Sequence, residues 1–275
     1  MRDLKPVKSG KIAKTKKSLE DKSNSRKANR QQIERANDTA KKNQKPQSAR
    51  PTIPFEPNDH ILLVGEGDFS FARSIVSEHG CANVLATCFD SEDELLQKYP
   101  QAKTHIDYLT SLEQSVLYNV DATKLQQKVM RKGQRWDRII FNFPHVGGKS
   151  TDVNRQVRYN QELLVSFFRA AHPLLAPDGT IIVTLFEGEP YTLWNIRDLA
   201  RHVGLKVVTS FKFISNAYPG YEHARTLGNI EGGGGWKGEE RDARTYIFQV
   251  NDSEKQHNDA NKKRKADDSS SDGED

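Results

Sequence analysis

Cysteine is scarce: Cys81 and Cys88 are the only two in 275 residues. They have neither the spacing of a metal or redox site nor the density of a disulfide scaffold. No metal is expected, and both read as reduced core thiols of an intracellular protein. No apolar run approaches the roughly 20 residues that span a bilayer, and the basic N-terminus lacks the apolar stretch of a signal peptide, so no membrane association is expected. No internal repeat is visible. Aromatic and clustered aliphatic residues are almost missing from the first 50 positions. Such a segment cannot offset the entropy of ordering itself and is expected to be disordered when free.

Charge divides the chain more sharply than length does. Residues 1–50 hold 16 Lys and Arg against 5 Asp and Glu, a net of +11, whereas residues 51–250 hold 21 against 24, a net of −3. Residues 251–275 hold 5 against 8, also −3. The basicity therefore lies in an arm, and a polybasic arm suits phosphate-rich partners through counterion release. Taken alone it reads rather as a solubilising extension. Beside a catalytic core, contact with RNA is the better reading. The expected organisation is a basic arm and proline-rich linker over 1–57, a folded domain over 58–250 and a disordered tail over 251–275. That tail carries Lys262-Lys263-Arg264-Lys265, which reads as a nuclear import signal, before an acidic, serine-rich end.

Within the folded region, Ile61-Leu62-Leu63-Val64 runs directly into Gly65-Glu66-Gly67-Asp68, and an amphipathic segment starts near Phe69. Strand, glycine turn and helix in that order bring the backbone of an open α/β sheet against a nucleotide-like ligand. Further strands are expected over Asn83–Phe89, Val116–Val120, Trp136–Phe141, Thr180–Phe186, Leu205–Ile214 and Arg244–Val250. Helical patterns fall between the first six. Ser91 with Glu94 three residues on reads as a capping box, Pro177-Asp178-Gly179 as a turn, and Tyr191 to His202 as one helix. No helical pattern separates the last two strands, so that pair should be antiparallel. The fold class is therefore α/β: a Rossmann-like, seven-stranded, mainly parallel sheet with an antiparallel C-terminal pair.

Ligands of such sheets sit at the carboxyl ends of the strands, and four of those ends carry polar or glycine residues. Gly65, Glu66, Gly67, Asp68 and Phe69 follow the first, Asp90 the second, Asp121 the third, and Asn142-Phe143-Pro144-His145 the fourth. A nicotinamide fingerprint would need glycine where Ser70 stands, and a phosphate loop would need Gly-Lys-Ser/Thr after the turn. Neither is present, and the seven-stranded layout with its antiparallel final pair resembles that of the S-adenosylmethionine-dependent methyltransferases, which implies S-adenosylmethionine as the cofactor. Gly65 to Phe69 would lie against its methionine end, Asp90 against the ribose hydroxyls and Asp121 near the base. Asp121 could equally cap the next helix. The Asn142–His145 loop would face the reacting methyl group. The long Ser215–Arg241 connection is expected to be a lid or an RNA contact, with Arg225, Lys237 and Arg241 meeting phosphates, as could Arg155 and Arg158.

The stretches Val64-Gly65-Glu66-Gly67-Asp68-Phe69-Ser70-Phe71-Ala72, Phe141-Asn142-Phe143-Pro144-His145-Val146-Gly147-Gly148 and Tyr218-Pro219-Gly220-Tyr221 together resemble the eukaryotic large-subunit ribosomal-RNA uridine-N3 methyltransferases. The resemblance covers about His60 to Val250. It implies methyl transfer from S-adenosylmethionine to a uridine ring nitrogen, ribosomal RNA or a pre-ribosomal particle as partner, a nuclear and nucleolar setting, and a monomer. Asn142 and the backbone at Phe143-Pro144 would then hold the base edge, with Phe143 or Phe141 stacking on its face. His145 would be either a general base or a group that only shapes the loop. Carbon-5 methylation proceeds through a cysteine adduct, and neither cysteine falls near this loop. A catalytically inactive RNA-binding assembly factor is the alternative from another functional class.

Overall fold

The computed structural model describes residues 51–129, 134–226, 228–229 and 241–251. The basic arm, the Gly232–Gly235 run, Trp236, Lys237 and the basic tetrapeptide lie outside the described residues. Among the described residues, seven strands form one sheet: β1 (His60–Leu63), β2 (Asn83–Thr87), β3 (Ser115–Leu117), β4 (Trp136–Asn142), β5 (Leu175–Phe186), β6 (Leu205–Lys212) and β7 (Ala243–Val250). Their order is β3-β2-β1-β4-β5-β7-β6. The first five pair in parallel, while β7 runs antiparallel to both β5 and β6. The expected fold class is the one observed.

Both faces of the sheet are covered, as the near-continuous apolar runs of β1 and β5 require. Side chains alternate across a strand, so Leu62 and Val64 join one core and Ile61 and Leu63 the other. The first core holds Leu164, Phe167, Phe168 and Ala171 of α5 (Val153–Ala171) and Ile196 and Ala200 of α6 (Ile196–His202). The second holds Phe71, Ile75 and Val76 of α1 (Ser70–Ser77), Leu95 of α2 (Glu92–Lys98) and Leu109 of α3 (Ala102–Ser111). Each buried Leu, Ile, Val or Phe among them contributes about 1.5–3 kcal/mol, so the helical stripes rather than helix propensity hold these helices in place. A short helix, α4 (Gln126–Val129), follows a 3₁₀ turn at Ala122–Lys124.

Helix boundaries follow local chemistry. Ser91 accepts from the Glu94 amide, and the Glu94 carboxylate accepts from the Ser91 amide, completing the expected capping box. Asp152 caps α5 by accepting from the Arg155 amide. Two expectations change. Pro177-Asp178-Gly179 lies within the long β5, where a register shift against β4 takes up the irregularity. The helix expected over Tyr191–His202 divides into a 3₁₀ turn (Tyr191–Trp194) and α6, because Asn195 adopts φ 50. No helix among the described residues is long and apolar enough to cross a membrane.

Sheet order sets where a ligand can sit. From β1 the chain builds outward through β2 and β3, then returns to place β4 on the other side. The strand order therefore reverses between β1 and β4, which opens a crevice at their carboxyl ends. Leu63 pairs with Ile140 across that line, so the Gly65 turn and the Asn142 loop emerge side by side.

Candidate active site

A cleft of about 920 Å³ occupies this position. Gly65 to Asp68, Asp90, Asp121 and Asn142 to His145 all line it. The four strand ends that the sequence singled out are thus brought to one cavity. Phe69 is fully buried beneath it at φ 63, a backbone region that favours glycine.

The glycine turn is closely packed. Gly65 has φ +69, and a Cβ there would stand 2.5 Å from Phe141 Cε2. Phe141 is buried and packs edge-on against Phe167, with centroids 5.0 Å apart. Phe141 thus wedges beneath the turn while also lining the cleft. A Cβ on Gly67 would meet Ala224 Cβ at 2.7 Å. Ala224 belongs to the segment after β6, so this connection crosses back over the glycine turn.

Ser70 explains why it can. Its amide donates to Asp68 Oδ1 at 3.0 Å, its hydroxyl donates to the Glu222 carbonyl at 3.1 Å, and the Glu222 amide donates back to the same hydroxyl at 3.1 Å. Phe71 packs on Tyr218 and Tyr221, with centroids at 4.9 and 5.6 Å. The Phe69-Ser70-Phe71 stretch, which begins a helix in the sequence, is also the anchor for the Tyr218–Thr226 strap. Tyr99 Oη donates to the Arg225 carbonyl, and the Asn229 amide donates to the Lys98 carbonyl at 3.0 Å. Tyr218 itself is buried among Phe213, Phe71 and His79, so it holds the strap and does not face a partner. Ser70→Ala is expected to cost about 1–2 kcal/mol, since two hydrogen bonds at a buried position are lost. Amide hydrogen exchange should accelerate at residues 221–226 and stay unchanged in β1 and β4.

The acidic residues divide by their partners. Asp68 is buried, with Oδ2 accepting from Gln101 Nε2 at 3.3 Å, so both oxygens serve the turn. Asp90 accepts from Lys98 Nζ at 2.6 Å on the cleft wall. Asp121 accepts from the amide and hydroxyl of Thr123 at 2.8 and 2.7 Å; it caps the 3₁₀ turn and also lines the cleft. Glu66 accepts from the Ala72 amide at 3.2 Å. Burial pushes its carboxyl up to about 8, against the lowering by that hydrogen bond and with a further rise from Asp68. Glu187 pairs with Arg244 at 2.6 Å.

The Asn142 loop is held from below by α5. Asn160 Oδ1 accepts from the Val146 amide at 3.0 Å, and Gln156 Nε2 donates to the Gly147 carbonyl at 2.5 Å. Neither residue stood out in the sequence. The available signal was Asn160 itself, a polar residue four positions before Leu164 on the buried stripe. Phe143 has φ 50 and packs against Phe186 and His223, with centroids at 4.5 and 4.4 Å. Asn142 Nδ2 is buried without a hydrogen-bond partner, an orphan donor of the kind that a ligand satisfies. His145 Nδ1 accepts from the Gly147 amide at 2.9 Å, so the neutral ring carries its proton on Nε2. Burial also lowers the His145 pKa. His145 is therefore arranged as a hydrogen-bond donor, not as a proton acceptor.

Arg225 lines the cleft. Arg155 and Arg158 are exposed on α5, and Arg241 lies 4.3 Å over the Phe186 ring. The cleft fits S-adenosylmethionine by the chemistry of its donors. Asp90 and Asp121 offer carboxylates to a ligand with sugar hydroxyls, and Glu66 offers a carboxyl group to its cationic end.

A model of the BMT5-like family, described as rRNA (uridine-N3-)-methyltransferase BTM5-like, matches residues 62–225. The 25S rRNA (uridine(2634)-N(3))-methyltransferase of Saccharomyces cerevisiae is 35% identical over 285 residues, covering 82% of this chain and 84% of that protein. Heavy metal-associated isoprenylated plant protein 41 of Arabidopsis thaliana is 38% identical over 174 residues. That match covers 62% of this chain but only 34% of the plant protein, so the chain spans about a third of that relative. The ferredoxin-fold anticodon-binding domain-containing protein 1 homolog of Mus musculus is 33% identical, over 59% of this chain and 27% of its own length.

Proposed function

The chain belongs to the BMT5-like family of rRNA (uridine-N3-)-methyltransferases, and on that premise we propose that it methylates N3 of a uridine in large-subunit ribosomal RNA, using S-adenosylmethionine. The observation that carries the reading is the convergence of Gly65–Asp68, Asp90, Asp121 and Asn142–His145 on one cleft at the reversal of strand order. The cofactor supplies an electrophilic methyl group on a sulfonium. Glu66 is suited to its ammonium group, Asp90 to its ribose hydroxyls, and the Val120–Ala122 wall to its base. In-line displacement depends chiefly on alignment, which a pre-formed cleft provides.

Uridine N3 lies on the pairing edge, so the base must be unpaired or flipped to enter. That edge presents a carbonyl on each side of N3. Asn142 Nδ2 at the end of β4 and His145 Nε2–H on the loop beyond it, both donors, match two carbonyls and would stabilise the anion that forms as N3 loses its proton. A cytosine carries an amine on the same edge and would leave one donor opposed. Phe143 would offer its face or edge to the base. The basic arm would hold the RNA backbone without reading sequence, and the setting would be nuclear and nucleolar.

Two measurements test the reading. Calorimetry of the full chain should show binding of S-adenosylmethionine, weakened about tenfold or more by Asp90→Ala through loss of a charged hydrogen bond. Nucleoside analysis of large-subunit rRNA from cells lacking the protein should show loss of 3-methyluridine, restored by the wild-type chain. An unchanged 3-methyluridine content would remove the substrate assignment.

A further inference from the structure

A flipped base enters a cleft while its backbone stays at the mouth, so the phosphates beside it are met by whatever side chains stand on the rim. Net charge does not reveal that surface, because residues 51–250 carry −3 overall. Several cations of the fold are already engaged. Arg138, Arg201, Lys212 and Arg244 are each held by a carboxylate, and Lys98 on the cleft wall is held by Asp90. Lys149, Arg155, Arg158 and Arg241 have no carboxylate partner among the described residues.

All four belong to elements on the β4–β5 side of the cleft. Lys149 lines it and is exposed, on the loop beyond β4. There Gln156 of α5 donates to the Gly147 carbonyl and accepts from the Ser150 amide, which clasps the chain on both sides of Lys149. Arg155 and Arg158 are exposed on the first two turns of the same helix. Arg241 is exposed just before β7, its guanidinium 4.3 Å over the Phe186 ring and 5.3 Å over that of Tyr191. Both rings line the cleft, and Phe186 lies 4.5 Å from Phe143, the residue after Asn142. Stacking of this kind orients the guanidinium plane and leaves its N–H edge for an anion. The other side of the cleft has the opposite charge. Glu92 and Asp93 are exposed on the first turn of α2, just beyond Asp90, and β1 separates β2 from β4 in the sheet. An RNA backbone is repelled there and attracted to the β4–β5 side.

We propose that Lys149 and Arg241 grip the RNA phosphates on the two sides of the flipped uridine, with Arg155 and Arg158 continuing the backbone track along α5. The assignment rests on the function proposed above and names the contacts that place its nucleotide. Lys149 supplies a point charge on a clasped loop, and Arg241 a planar fork oriented by two rings. Neither reads sequence, since every nucleotide presents the same phosphate. Both are carried by the folded core at the rim, so they set where the strand enters and bring the base edge towards Asn142.

The test uses the full chain and large-subunit rRNA from cells lacking the protein. It reads RNA binding and single-turnover methyl transfer between about 50 and 200 mM salt. Lys149→Gln and Arg241→Gln should each raise the half-saturating RNA concentration about tenfold. The rate at saturation should stay within about twofold, and S-adenosylmethionine affinity by calorimetry should not change. Each variant should also flatten the slope of log affinity against log salt by about 0.7–0.9, the value of one phosphate contact. A residue that only supports the loop would lower rate or stability and leave that slope intact. Arg241→Lys keeps the charge and loses the stacked fork, so it should keep the slope and lose about threefold in affinity. Lys103→Gln removes an exposed cation already paired with Asp107 and should match the wild type throughout. Unchanged slopes in both Gln variants at positions 149 and 241, an equal change in Lys103→Gln, or a loss traced wholly to cofactor affinity overturns the assignment. A wild-type chain that binds this RNA with these slopes but transfers no methyl group supports the grip and removes the proposed function, so the two failures are distinct.

Discussion

Gly65→Ala should weaken S-adenosylmethionine binding about 100-fold, the loss expected when a turn is displaced by about 1 Å at a pre-formed site, and destabilise the chain by about 3 kcal/mol. The two contributions can be separated. Gly65 and Gly80 have nearly the same φ, +69 and +68, but a Cβ on Gly80 meets nothing within 4 Å. Gly80→Ala therefore reports the backbone strain alone, about 1 kcal/mol. At Gly65 the new methyl would stand 2.5 Å from a ring locked against Phe167. Overpacking of this kind adds about 1–3 kcal/mol. Denaturant unfolding of both variants, with calorimetry of each, measures the difference. Equal destabilisation at the two sites would show that Phe141 yields, and wild-type affinity in Gly65→Ala would remove the turn from the cofactor site.

Cofactor affinity should rise with pH and level off near 8. Burial holds the Glu66 carboxyl up to about 8 in the free protein, so at neutral pH it is mostly protonated. A cationic ligand beside it favours the carboxylate, which lowers that pKa and releases a proton on binding. Affinity therefore increases by up to tenfold per pH unit below about 8 and is flat above it. Glu66→Gln should bind with little pH dependence over the same range and release no proton, which calorimetry in buffers of different ionisation enthalpy detects.

The sign for stability is the opposite. A carboxyl whose folded pKa is raised binds a proton in the folded state that the unfolded chain has already lost. The ligand-free protein should thus lose stability as pH rises from about 4.5 to 8, and Glu66→Gln should flatten that decline. Proton-neutral binding by the wild-type chain would show that Glu66 does not meet the positive end of the cofactor.

The apolar runs and their spacing determined the α/β class, the order of strands and helices, and the antiparallel final pair, because alternation and helical stripes are local consequences of which residues must be buried. Strand ends marked by Gly65–Asp68, Asp90, Asp121 and Asn142–His145 were legible for the same reason: polar residues directly after buried strands have few structural explanations. Their roles were not legible. Tertiary packing placed Phe141 beneath Gly65, gave His145 its donor tautomer through the Gly147 amide, and occupied both oxygens of Asp68. It also brought Ser70 to Glu222, 152 positions apart, and seated His223 against Phe143. A hydrogen bond or ring contact between residues so distant in the chain leaves no periodicity in either segment. Only the return of the strap over the glycine turn decided which of its residues line the cleft.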